Sequence, residues 1–228
     1  MSSEYISNIN NFLNLIKNNE GTIIELGTYK GKTTNVLGNF IKSNNLNDKI
    51  LTFDTFKGYT EKDIQNSKTI KEKRGLTNNN NNNRWNINKE EVDEFFKNNN
   101  INQFINIIEG DICETIKNVN NNKIKLVYVD CNAYYPAYNA LAYLYNNNSF
   151  LNSCFIVIDE HTIGGESNAV NDFLIKYSIE GNFYKLDTNN LTGPRIIFHY
   201  KNEDTQLWNT IDNILKIQYK QVYDILNN

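Results

Sequence analysis

Proline is nearly absent from the chain, with 2 in 228 residues, and 11 glycines are too few for a collagen-like or Pro/Gly-rich disordered sequence. Three cysteines (Cys113, Cys131 and Cys154) are too few and too scattered for a disulfide framework or a CxxC zinc site. No stretch approaches the roughly 18 consecutive apolar residues that a transmembrane helix needs. The N-terminal MSSEYISNIN has no basic region followed by an apolar run, so no secretory signal is expected. A cytoplasmic protein with reduced thiols and no membrane partner is the expectation. An excess of basic residues is also missing. The 23 Lys and Arg against 26 Asp and Glu give a net charge of −3 and a pI near 5.5, which argues against nucleic acid as a partner. The short basic stretch from Lys68 to Arg74 reads as a solvated loop face.

Asparagine, by contrast, is abundant. There are 45, against five Ala and three Arg, a bias of the kind that AT-rich coding produces. They gather in the run 78–83, at 98–100 and 146–148, and in turns such as 120–122 and 189–190, while the apolar runs are largely spared. That distribution reads as drift on a solvated surface rather than a function of Asn.

The length suits one domain, residues 1–228. Continuous apolar runs predict buried parallel strands at 22–26, 50–53, 104–108, 124–129 and 154–158. Helical spacing between them predicts helices at 33–41, 90–97, about 112–118, 136–146 and 166–177. Strands at 183–186 and 195–199 follow without a helix between them, which predicts a terminal antiparallel hairpin, and a helix closes the chain at about 204–226. Residues 58–90 show little periodicity and read as a disordered or lid-like loop, broken by the helix at 90–97. The alternation calls for a Rossmann-like α/β sheet, mostly parallel, with helices on both faces. Ligands then bind at the carboxyl ends of the strands, where Gly27, Asp54, Asp111, Asp130, Asp159 and Glu160 all fall.

Two kinds of chemistry follow from those positions. Gly27 and Gly31 flank a strand-to-helix turn, and Asp54 at the next strand end can accept hydrogen bonds from ribose hydroxyls. If neighbouring strands bring Asp130, Asp159 and Glu160 together, their hard oxygens suit Mg²⁺ or another hard divalent cation. His161, next in sequence, is a candidate proton acceptor.

The order of these motifs resembles the class I S-adenosylmethionine-dependent methyltransferases, specifically the macrocin O-methyltransferase-like family of sugar and natural-product enzymes. The residues that carry it are Glu25-Leu-Gly27-Thr-Tyr-Lys-Gly31, Phe53-Asp54-Thr-Phe-Lys-Gly58, Ile108-Glu-Gly-Asp111, Val129-Asp130-Cys-Asn132-Ala-Tyr134 and Ile158-Asp159-Glu160-His161. The resemblance implies S-adenosylmethionine bound by Glu25, Gly27, Thr28, Tyr29, Gly31, Asp54, Thr55, Asp111, Ile112 and Asp130. It implies a metal at Asp130, Asp159 and Glu160, catalysis by His161 and Asp130, and methyl transfer to a hydroxyl of a sugar, glycan or glycosylated metabolite. Asn132 stands where the family usually has a second Asp, and Lys57 where an acidic residue is common. Two other readings stay open: a catalytically degenerate binding protein, and a nicotinamide-dependent oxidoreductase. The missing GxGxxG disfavours the second. A homo-oligomer is left open.

Overall fold

The structure, a computed structural model, describes residues 3–77, 85–119, 123–159, 165–186, 194–201 and 205–222. Eight strands form one sheet in the order β3-β2-β1-β4-β5-β7-β6-β8. They are β1 (Thr22–Leu26), β2 (Ile50–Asp54), β3 (Ile105–Glu109), β4 (Ile124–Val129), β5 (Phe150–Ile158), β6 (Glu180–Lys185), β7 (Ile196–Lys201) and β8 (Gln221–Val222). The first five run parallel; β7 is antiparallel to β5, and β6 is antiparallel to both β7 and β8. The chain starts at β1, works outward to β3, and then returns to the other side of β1 with β4. That reversal leaves a crevice at the carboxyl ends of β1 and β4.

Every residue of β1 and of β4 is buried, as the continuous apolar runs predict for a sheet covered on both faces. One face packs against α1 (Ser3–Ile16), α2 (Lys32–Ser43) and α9 (Gln206–Gln218), which contribute Ile9, Phe12, Leu37, Ile41, Ile211 and Leu215. The other packs against α7 (Tyr134–Asn146) and α8 (Glu166–Lys176) through Ala137, Leu141, Leu144, Val170 and Phe173. The remaining helices are α3 (Glu61–Gln65), α4 (Ile70–Thr77), α5 (Lys89–Asn98) and α6 (Ile112–Thr115).

The structure adds one element the sequence reading did not place and corrects two expectations. The N-terminal segment is a full helix whose buried Tyr5, Ile9, Phe12, Leu13 and Ile16 follow a helical repeat. Residues 61–77 are not a structureless loop but α3 and α4, the first held by a capping box between Thr60 and Asp63. The last helix ends at Gln218, and the chain then adds Gln221–Val222 to the sheet edge. The hairpin expected at the C-terminus is the antiparallel pair β6–β7, and the connection 187–193 lies outside the described residues. No helix among the described residues is long and apolar enough to cross a membrane.

Candidate active site

The sheet's hydrogen bonding continues past the strand ends and sets the site's residues in a row. Gly27 N–H donates to Phe53 O (2.8 Å), Gly110 N–H to Asp54 O (2.9 Å), Asp130 N–H to Leu26 O (2.9 Å) and Asp159 N–H to Val129 O (3.0 Å). At Gly27 the backbone lies in the left-handed region, with φ +96°, and a Cβ there would stand 2.1 Å from the Asp130 carbonyl oxygen. Only glycine lets β1 turn so close to β4. Gly31 serves a different neighbour: a Cβ there would meet the Phe96 ring of α5 at 2.6 Å. Its small size therefore serves helix packing, not ligand approach.

Asp54 organises the glycine turn. Its Oδ2 accepts the N–H groups of Thr28 (2.9 Å) and Tyr29 (2.8 Å), and its Oδ1 accepts Phe56 N–H (2.8 Å). Tyr29 and Phe56 both hold φ near +50°, at +49° and +56°, a conformation that costs L-residues energy unless the surroundings fix it. Burial raises the Asp54 carboxyl above its ordinary value, and the backbone donors counter that. Most of the acceptor capacity expected to meet ribose is thus spent inside the protein. Glu25 lies beneath the turn, fully buried, accepting the hydroxyls of Thr34 and Thr52; burial pushes its carboxyl up to about 7. Thr28 is turned inward too, its hydroxyl against that of Thr52.

A cavity of about 270 Å³ opens above this row. Of the residues expected from the sequence, Gly27, Tyr29, Asp54, Thr55, Asp111, Ile112 and Asp130 line it, whereas Glu25, Thr28 and Gly31 do not. Asp111 also caps α6 through Cys113 N–H (2.9 Å). Trp85 completes the wall with its ring 4.8 Å from that of Tyr29, on a segment that pairs Asn86 with Lys57. Cys131 also lines the cavity, but burial raises its thiol far above the range in which a nucleophilic thiolate forms.

Sequence reasoning missed three groups. Asp63 lines the cavity while its Oδ2 accepts Thr60 N–H (2.8 Å), and its Oδ1 is buried without a hydrogen-bond partner. Glu72 and Glu166, both buried, pin the loop after β4: Asn132 N–H donates to Glu166 Oε1 (2.5 Å) and Tyr134 N–H to Glu72 Oε1 (2.7 Å). Asn132 sits at φ +57°, a position that Asn tolerates better than most residues. The Thr60-x-x-Asp63 spacing was readable as a helix start; the reach of Glu72 and Glu166 was not. Among the aromatic residues near α7, Tyr134 is committed to Asp172 (2.9 Å) and stacks on Tyr138 instead of facing the cavity.

The expected convergence of Asp130, Asp159 and Glu160 is not assembled by the described residues. Asp130 lines the cavity; the Asp159 carboxylate accepts Tyr128 OH (2.5 Å) and pairs with Arg195. Glu160 and His161 lie outside the described residues, as does the start of the Asn-rich run at 78. No group of three or more His, Cys, Asp or Glu among the described residues can hold a metal ion. Among the described residues the donors are one cavity aspartate and one aspartate bound to a guanidinium, fewer oxygens than a divalent cation takes.

The strand order, the glycine turn and the carboxylate-lined crevice define a class I methyltransferase fold. The family described as Macrocin-O-methyltransferase (TylF) matches residues 3–192, and the chain belongs to it. As such it is an S-adenosylmethionine-dependent O-methyltransferase. Among solved structures it resembles the O-methyltransferase NovP (TM-score 0.73, 15% identity, 87% of this chain and 80% of that one). It also resembles the calicheamicin methyltransferase CalS11 (TM-score 0.61, 17% identity, 85% and 77%). A third is TomG from Streptomyces achromogenes, an O-methyltransferase solved in complex with SAM (TM-score 0.54, 12% identity, 89% and 82%). At these identities the likeness is one of fold. No curated protein sequence matches the chain.

Proposed function

We propose that this chain transfers a methyl group from S-adenosylmethionine to a hydroxyl of a sugar, glycan or glycosylated metabolite. The observation that carries the reading is the cavity itself: a glycine cradle that a Cβ would fill, set among Asp54, Asp63, Asp111 and Asp130, with no Lys or Arg among the described residues of the wall. Four carboxylates around one cavity favour a ligand that brings positive charge and hydrogen-bond donors. Bound there, S-adenosylmethionine supplies an electrophilic methyl group on a cationic sulfur. Gly27 and Tyr29 would receive its amino-acid end, Thr55 and the one acceptor site that the turn leaves on Asp54 its ribose, and Asp111 and Ile112 its base.

Asp130 is the residue assigned to the proton. It sits at the end of β4, between the glycine turn and Asn132, where an acceptor hydroxyl would approach the methyl. The bound cofactor would supply the methyl group and keep the sulfur as its neutral thioether, and the Asp130 carboxylate would accept the proton that the acceptor hydroxyl gives up. Positioning supplies the rest, since the two reactants are held in one small cavity. The sugar preference draws support from the family and from CalS11, one of whose structures is described as a TDP-rhamnose 3′-O-methyltransferase. Incubation with S-adenosylmethionine and a panel of nucleotide sugars, glycans and phenols tests the proposal by mass spectrometry. A mass gain of one methylene on a sugar-bearing acceptor is expected; methylation of phenols alone overturns the acceptor class.

A further inference from the structure

β4 and β5 end side by side, yet their terminal aspartates face different surroundings. Val129 pairs with Ile158, so Asp130 and Asp159 follow at neighbouring positions. Asp130 lines the cavity, and Asp159 does not. Instead, the Asp159 carboxylate turns to the α1 side of the sheet, in register with Val157 and beside Tyr128, both in the cluster that packs on α1 and α2. There its Oδ1 accepts Tyr128 OH at 2.5 Å and Arg195 Nε. Tyr128 OH shares a 2.8 Å hydrogen bond with Tyr5 OH of α1, and the Arg195 guanidinium lies over the Tyr5 ring at 4.1 Å from its centre. Side-chain exposure is 16% for Arg195 and 11% for Asp159, so water screens the pair weakly.

A guanidinium does not release its proton and presents its donors in a fixed plane, which suits it to hold a carboxylate in a partly buried place. A divalent cation at Asp159 would need the same oxygens. It would have to evict Arg195 and leave that charge in a poorly hydrated pocket against an aromatic ring, a strongly unfavourable exchange. Asp159 therefore stands in a sequence pattern that looks like a metal site, while the fold supplies a different cation to its carboxylate.

We propose that Arg195 is the resident cation of the β5 strand end: its guanidinium holds Asp159 in the place of a divalent ion, so that cofactor binding needs none. Arg195 acts as a positioning residue, linking the end of β5 and the start of β7 to α1. The binding arm below stands without the catalytic reading of the cavity; only the cofactor arm rests on it.

The test titrates Mn²⁺ into the full chain and follows the free ion by electron paramagnetic resonance, in the parent, Arg195→Gln and Arg195→Gln/Asp159→Asn. The parent should leave Mn²⁺ free to millimolar concentration. Arg195→Gln should bind it at least tenfold more tightly, with a melting temperature that rises with Mg²⁺, and the double variant should return to the parent's behaviour. Tight Mn²⁺ binding by the parent that Asp159→Asn removes overturns the proposal, and so does a folded Arg195→Gln that gains none. If Arg195→Gln does not fold, the comparison of the parent with Asp159→Asn decides alone. In the cofactor arm, affinity of the parent for S-adenosylhomocysteine should stay within twofold on adding EDTA; a tenfold loss overturns the proposal. Failure of S-adenosylhomocysteine to bind under any condition counts against the assignment of the cavity, not against Arg195.

Discussion

The parallel strands β1–β5 and the antiparallel strands beside them carry similar polar residues to opposite ends. At the parallel strand ends, Asp54, Asp111 and Asp130 reach the wall of a cavity. Where β5 meets the antiparallel strands, Ser153 of β5, His199 of β7 and Asp212 of α9 line up as a nucleophile, a base and an acid would. Ser153 Oγ is 2.9 Å from His199 Nε2, and His199 Nδ1 is 3.4 Å from Asp212 Oδ1. That second set is sealed. His199 is fully buried, sandwiched between the rings of Phe155 and Trp208 at 4.5 and 4.8 Å, and Asp212 also accepts Tyr184 OH. Residue types and hydrogen-bond order are thus a poor guide to chemistry; access at the strand ends separates the two regions.

The sharpest contrast is in turnover. Asp130→Asn should lower it on the order of a hundredfold or more while leaving affinity for S-adenosylhomocysteine within about threefold. Ser153→Ala should leave turnover within about twofold and cost roughly 1 kcal/mol of stability, the usual worth of one hydrogen bond. Steady-state kinetics and urea unfolding on the two variants measure both. A large loss of turnover in Ser153→Ala would erase the distinction between the halves.

The two regions also differ in the sign of their pH dependence. Burial lifts Glu25 from 4.5 to about 7, so the folded state holds that proton more tightly than the unfolded chain. Its contribution to stability is whole below 4.5 and is lost as pH rises to about 7. Burial drops His199 from 6.5 to about 4, with Asp212 opposing in part. Its contribution is whole above 6.5 and is lost as pH falls toward 4. Each shift corresponds to about 3 kcal/mol over its window. Urea midpoints taken from pH 4 to 8 should flatten between 4.5 and 7 on the alkaline-going side in Glu25→Gln, and on the acid-going side in His199→Gln. A parent profile unchanged by either substitution would contradict the assigned burial effects.

Much of this arrangement was legible in the residues. Apolar runs without alternation announced covered parallel strands, and glycine or aspartate at the end of each marked the crevice. The repeat in Tyr5, Ile9, Phe12, Leu13 and Ile16 was equally readable and forms α1. What could not be read was where each carboxylate would spend its hydrogen bonds. Asp54 is drawn into the turn by the N–H groups of Tyr29 and Phe56, whose positive φ no local pattern announces. Asp159 meets Arg195, 36 residues further on and just before β7. Glu72 and Glu166 reach the β4 loop from helices distant in sequence. Such pairings are fixed by tertiary packing, and local spacing carries no trace of them.

We read the crevice between β1 and β4 as the cofactor site, kept open by a glycine that nothing larger can replace. Calorimetric titration of S-adenosylhomocysteine into the parent and into Gly27→Val tests it directly. One equivalent should bind the parent, and affinity should fall at least about a hundredfold in the variant, whose side chain would collide with the Asp130 carbonyl in a backbone conformation closed to valine. No binding to the parent at millimolar ligand, or equal binding to a folded Gly27→Val, would contradict the account.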